Sequence, residues 1–230
     1  MVVSNIDLTA DSQIMKPAIF LSADTKEPVL NLNNDYRYLK TGYYVSLHAE
    51  VLGNRVIPSC ENILDSNRTP LLLLRASKAG IPTLPFIVTD LVTKIAAELG
   101  FPLVLFAVNP FIHEGYKTAN NKSALYRAVK SLGMNYKFAV CAQPLKGQIV
   151  TIKSFFGKCP DQDQQTQRIS QQVYDLFKIP LCKLHVQKTP DNTYLCGLQA
   201  LDKEELSKQD IERISKEVSL LLEQGEPFGV

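Results

Sequence analysis

The sequence predicts a mixed α/β fold, with strands alternating with helices in the first half and two antiparallel hairpins with helices in the second. Three observations carry this prediction. Short apolar runs alternate with helical patterns of about 10–12 residues, the rhythm of α/β chains. Glycines (Gly53, Gly80, Gly100, Gly133) stand just past successive helical patterns, where a helix C-terminus favours them. Beyond residue 133 the apolar runs come in pairs around turn-forming residues, as hairpins do.

In chain order, residues 1–15 read as a loose leader. Pro17–Leu21 and Val29–Leu32 read as strands. Thr41–Leu52 reads as a helix with Tyr44, Leu47 and Val51 on its inner face. Arg55–Ile57 is a short strand closed by Pro58. Thr69-Pro70 is a helix start, with Pro at the first helical position, and that helix stops at Gly80. Leu84–Val88 reads as a strand, followed by a helix with Leu91, Ile95 and Leu99 inward. Leu103–Val108 has the unbroken apolar run of a buried strand. Asn109–Asn121 is a polar loop, and Lys122–Leu132 a helix with Leu125, Val129 and Leu132 inward. Tyr136–Ala142 and Gln148–Phe156 form the first expected hairpin. A helix then ends near Phe177. Leu181–Gln187 and Thr193–Gln199 form the second hairpin, around Pro190-Asp191-Asn192. Ser207 with Asp210 three residues on makes a capping-box start for the last helix, whose inner stripe is Ile211, Ile214, Val218 and Leu221. The expected segments are a leader at 1–15, a strand-loop-helix module at 16–68, an α/β region at 69–157 and a helix-hairpin-helix end at 158–223.

The chain has 230 residues, 45% of them hydrophobic and 21% charged, the profile of a globular protein with a sizeable core. Its net charge of +2 gives no overall attraction to nucleic acid or to a membrane surface. No apolar run reaches the roughly 18 residues of a transmembrane helix. The five cysteines contain no CxxC pair, and three sit in strand-like runs as small hydrophobes, which points to a reducing, cytoplasmic setting.

The densest chemistry lies in Asp35–Tyr44. Four tyrosines (Tyr36, Tyr38, Tyr43, Tyr44) and two cations (Arg37, Lys40) follow a strand and lead into a helix N-terminus. That arrangement suits an anion or carboxylate ligand, with Arg37 as the bidentate clamp, Lys40 as added charge and the tyrosines as walls and hydroxyl donors. The competing reading is that the tyrosines pack and the cations are solvated. A second loop holds His113, Glu114, Gly115 and Lys117, where Lys117 would meet a phosphate as a point charge. His48, His113 and His185 share no metal-ligand spacing, and neither GxxxxGK[ST] nor GxGxxG is present.

The run Asn33–Ser59, NNDYRYLKTGYYVSLHAEVLGNRVIPS, resembles the RimK-like ATP-grasp N-terminal domain, a module found ahead of ATP-grasp ligases. Ile149–Phe177 resembles the second half of the same module. The middle, through LLRASKAGIPTLPFIVTD, AAELGFPLVLFAVNP and YKFAVCAQPLKGQIV, is similar to an ATP-grasp nucleotide-binding region. This second resemblance implies a phosphate-binding lysine at the position of Phe106, another at Lys117, and an adenine hinge through Gln143–Leu145. It also implies acidic and Asn ligands for Mg²⁺ in the last strands, where this chain has His185, Gly197 and Gln199. Those departures favour a non-catalytic module that binds a small carboxylate ligand or a partner, with no metal and no cofactor, beside a separate or fused ligase. The alternative is a divergent ATP-grasp ligase using ATP and magnesium, with Lys117 and Gln143 in the nucleotide site. A third reading buries the tyrosine segment in a homodimer interface, where Tyr and Arg are enriched.

Overall fold

The computed structural model describes residues 1–8, 14–109, 111–112, 115–160 and 162–223. The chain begins with strands β1 (Val2–Ser4) and β2 (Ile14–Met15), helix α1 (Pro17–Phe20), strand β3 (Val29–Leu32), helix α2 (Thr41–Val51) and strand β4 (Val56–Ile57). These four strands form an all-parallel sheet in the order β2-β1-β3-β4. Val2–Ser4, expected in a loose leader, is therefore an inner strand, and all three of its residues are buried. Pro17–Leu21, expected as a strand, is helical over Pro17–Phe20. Pro17 takes the first helical turn, where its missing N–H costs nothing.

Two helices follow, α3 (Cys60–Ser66) and α4 (Thr69–Lys78). Helix α3 has no counterpart among the expected elements, although Ser59 caps it by accepting from the Asn62 N–H at 3.2 Å. Then come β5 (Ile87–Thr89), α5 (Val92–Leu99), β6 (Leu103–Ala107), β7 (Lys117–Ala119), α6 (Lys122–Leu132) and β8 (Val140–Pro144). Their strands form an antiparallel sheet, β5-β8-β6-β7, with its own core against α5 and α6 through Ile95, Leu103, Leu125 and Val129. The expected polar loop at 109–121 thus contains strand β7, paired with β6.

The last part comprises β9 (Gln148–Phe155), α7 (Gln164–Phe177), β10 (Leu181–Lys188), β11 (Thr193–Gln199) and α8 (Lys208–Glu223). The β10–β11 hairpin forms as predicted, closed by Thr189 and Asn192. The other expected hairpin does not. β8 pairs with β5 and β6, whereas β9 pairs with β10, so the Pro144–Gly147 turn carries the chain from one sheet to another. The largest core joins the first and last sheets through Leu30, Leu32, Leu72, Phe155, Phe177, Leu184 and Ile214.

Helix faces differ in two places. Helix α2 buries Gly42, Val45, Ser46 and Ala49, while Tyr44 and Val51 are exposed, one position off the expected stripe. Leu91 stands just before α5 with its side chain exposed, and Val92 and Ile95 face inward. The stripe of α6 and the Ser207–Asp210 capping box match the expectation.

Candidate functional site

The segment between β3 and α2 is fixed from beneath by buried amides. Asn31 Nδ2 donates to the Gly42 carbonyl at 2.7 Å and to Ser46 Oγ at 2.8 Å, and Ser46 Oγ donates to the Pro58 carbonyl at 2.6 Å. Asn33 Nδ2 donates to Asn31 Oδ1 at 2.6 Å. Gly42 is required where the loop folds onto the helix start, because a Cβ there would lie 2.5 Å from the Asp35 carbonyl oxygen. Asn34 ties the loop to the far end of the chain through two bonds with the Leu201 backbone.

This scaffold separates the seven predicted residues. Tyr36 is a core side chain, 2% exposed, and its hydroxyl donates to the Asn31 carbonyl at 2.8 Å. It is therefore no ligand wall. Burial raises its pKa well above the ordinary tyrosine value. Lys40 and Tyr44 are exposed, and Tyr43 is half-buried with its ring centroid 5.2 Å from that of Tyr38. Arg37 and Tyr38 alone of the seven reach a cleft, where the loop after β3, the junction of α3 and α4, the end of β6 and the end of β11 meet. Arg37 arrives with a partner. Asp35 accepts from its Nε at 2.8 Å and its Nη2 at 2.5 Å. Burial pushes the Asp35 carboxyl up, but its bonds with Arg37 outweigh that and hold it below the usual value.

The cleft's other cation escaped the sequence reading. Arg68 stands immediately before α4, half-buried, and its guanidinium has no hydrogen bond or ion pair among the described residues. Asn67, Thr69, Asn109 and Gln199 add polar groups, and Phe106 and Leu198 add apolar wall. The available signal was the Arg-Thr-Pro sequence, which places a cation at a helix start, where an anionic ligand is favoured.

The residues proposed for a nucleotide site lie apart. Lys117 on β7 donates to Ser131 Oγ at 2.8 Å and does not line the cleft. Gln143 is fully buried, and its Nε2 donates to the Cys196 carbonyl at 2.9 Å, joining the antiparallel sheet to the last one. His113 and Glu114 fall outside the described residues. Phe106 is 2% exposed, with ring centroids 5.9 Å from Tyr116 and 6.1 Å from His185. It sits so close to β11 that a Cβ on Gly197 would lie 2.6 Å from its ring. His185 Nδ1 bonds Thr151 Oγ1 at 2.9 Å, while its buried Nε2 lacks a bond of good geometry, although the Gln199 amide approaches. Burial lowers its pKa to about 4, so the imidazole is neutral at physiological pH.

The family model of the RimK-like ATP-grasp N-terminal domain matches residues 17–217. The chain belongs to that family. As a RimK-like ATP-grasp N-terminal domain it also shares its fold with solved ligases. A RimK-domain ATP-grasp protein from Sphaerobacter thermophilus superposes with TM-score 0.64 at 14% identity, covering 94% of this chain and 98% of that one. D-alanine–D-alanine ligase from Bacillus anthracis gives 0.63 at 17% identity, covering 86% and 82%. The Helicobacter pylori ligase of the same name gives 0.60 at 16%, covering 88% and 71%. No curated protein sequence matches the chain. Identities this low establish a common fold only.

Proposed function

We propose that this RimK-like domain is a non-catalytic binding module that serves an ATP-grasp ligase, separate or fused, and holds a small carboxylate in the cleft between Arg37 and Arg68. The observation that carries this reading is the guanidinium of Arg68 at the start of α4, which has no hydrogen bond or ion pair among the described residues, beside an Arg37 already held by Asp35. A half-buried guanidinium gains most from a bidentate carboxylate, and the neighbouring helix N-terminus adds to the attraction. Arg37 is a secondary donor, and Tyr38, Asn67 and Gln199 shape the remainder. The D-alanine–D-alanine ligase neighbours support an amino acid or peptide end as the carboxylate.

The residues present do not suit Mg·ATP. Where the nucleotide-site resemblance calls for a phosphate lysine there is a buried Phe106, and Lys117 is engaged with Ser131. In place of the acidic and Asn ligands for a hard cation stand His185, Gly197 and Gln199. Charge neutralisation is the main protein contribution to phosphoryl transfer, and the lysine and metal-holding carboxylates that would supply it are the groups replaced here.

Calorimetry with a panel of amino acids and dipeptides tests the reading. Carboxylate ligands are expected to bind, C-terminally amidated ones are not, and Arg68→Ala is expected to abolish the heat. Equal binding of amidated ligands would sink the carboxylate assignment. Saturable Mg·ATP binding would restore the ligase alternative.

A further inference from the structure

The net charge of +2 conceals an uneven distribution. Between Glu114 and Asp161 the chain has eight lysines and arginines and no acidic residue. Some of these cations are engaged: Lys153 pairs with Asp210, Lys158 with Glu217, and Lys117 with Ser131. Lys122, Arg127, Lys130 and Lys137 are exposed and meet no carboxylate among the described residues. Among the described residues Arg127 bonds only the Ser123 hydroxyl, at 3.1 Å.

Lys122, Arg127 and Lys130 lie on helix α6 with the exposed ring of Tyr126, and Lys137 lies in the turn after it with those of Tyr136 and Phe138. Helix α6 buries Leu125, Ala128, Val129 and Leu132, so Lys122, Tyr126 and Lys130, four residues apart, form a stripe on its outer side. The following turn folds back beside that stripe. Asn135 N–H donates to the Lys130 carbonyl at 2.8 Å and Tyr136 Oη to the Tyr126 carbonyl at 3.5 Å. Tyr126, Tyr136 and Phe138 are 43%, 41% and 42% exposed, large apolar area for a surface that packing alone has not covered. On adjacent α5, Lys94 and Glu98 neutralise each other at 3.8 Å.

We propose that this face of α6 and the turn after it binds single-stranded nucleic acid. Phosphates lie along Lys122, Arg127, Lys130 and Lys137, and bases stack on Tyr126, Tyr136 and Phe138. Cations interleaved with exposed rings are what an unpaired strand requires, since every base has a stacking face and every phosphate a charge. An acidic polypeptide would use the cations and leave the rings idle. The surface is separate from the Arg68 cleft, so the two assignments stand or fall independently.

The test is fluorescence anisotropy of the full chain with a labelled oligouridylate, between about 50 and 200 mM salt. Four phosphate contacts predict a log–log slope near −3, an affinity loss of roughly 50-fold over that range. Lys122→Ala with Lys130→Ala should halve the slope. Tyr126→Leu and Tyr136→Leu keep apolar bulk at exposed positions, so folding is retained. They should weaken binding about tenfold with the slope unchanged. No binding at the lowest salt would overturn the proposal. So would ring variants that bind like the parent, or polyglutamate that binds as tightly as the oligonucleotide.

Discussion

Asp35 grips Arg37, two residues further along, with both carboxylate oxygens: Nε to Oδ1 at 2.8 Å and Nη2 to Oδ2 at 2.5 Å, while the Arg37 N–H adds a third bond to Oδ1 at 3.0 Å. The guanidinium expected as a free anion clamp is thus already paired with a carboxylate of equal and opposite charge, and the clamp role passes to Arg68.

Asp35→Asn removes that restraint. Leaving a part-buried guanidinium short of its partner should lower stability by about 1–3 kcal/mol, read from urea unfolding midpoints. The same variant should bind a carboxylate ligand several-fold more tightly in calorimetry, because Arg37 is released into the cleft. The folded Asp35 carboxyl is held below its ordinary value, so the pair's stabilisation is complete above about pH 4 and fades as pH falls through the lowered value. Asp35→Asn should lack that acid-dependent component.

Arg68→Lys separates charge from geometry. Lysine keeps the cation but loses the planar fork that meets a carboxylate with two parallel bonds. Binding should weaken about tenfold or more, with stability unchanged because the Arg68 guanidinium has no bond to lose among the described residues. A lysine variant that binds like the parent would mean that Arg68 acts only as a point charge.

Gly197→Ala should destabilise the fold. Its Cβ would lie 2.6 Å from Phe106 Cε1 and 3.3 Å from His185 Cδ2, both buried rings with little room to yield. Overpacking of this kind costs about 1–3 kcal/mol. Phe106→Leu in the same chain should recover part of the loss, and a double-mutant cycle from unfolding midpoints measures the coupling.

His185 should make stability fall with acid before the carboxylates do. Its folded pKa is about 4, lowered mainly by burial, against about 6.5 when unfolded. Its contribution is complete above pH 6.5 and is lost progressively as pH drops towards 4, at up to about 1.4 kcal/mol per pH unit. His185→Gln should flatten the stability profile across that interval, as followed by thermal unfolding.

Sequence periodicity served well where one face decides burial. The stripe of α6, the β10–β11 hairpin and the Ser207–Asp210 cap all follow from local chemistry. It failed where partners are remote. Val2–Ser4 is too short to declare itself, and only pairing with β2 and β3 makes it a strand. Pro144–Gly147 has the chemistry of a tight turn, yet whether the strands on either side pair depends on β6 and β10 competing for them.

The site divides along the same line. Residue types alone marked Asp35–Tyr44 as unusual, carried the family resemblance and exposed the loss of lysine and carboxylates at Phe106, Gly197 and Gln199. Only the tertiary structure decided which side chains meet. It sent Tyr36 into the core, closed Asp35 onto Arg37, and brought Arg68 and Gln199 to the same cleft from distant positions. The physical reason is that sequence fixes what each group prefers locally, whereas a binding site depends on which preferences are left unmet after packing. In the cleft, among the described residues, the unmet charge belongs to Arg68.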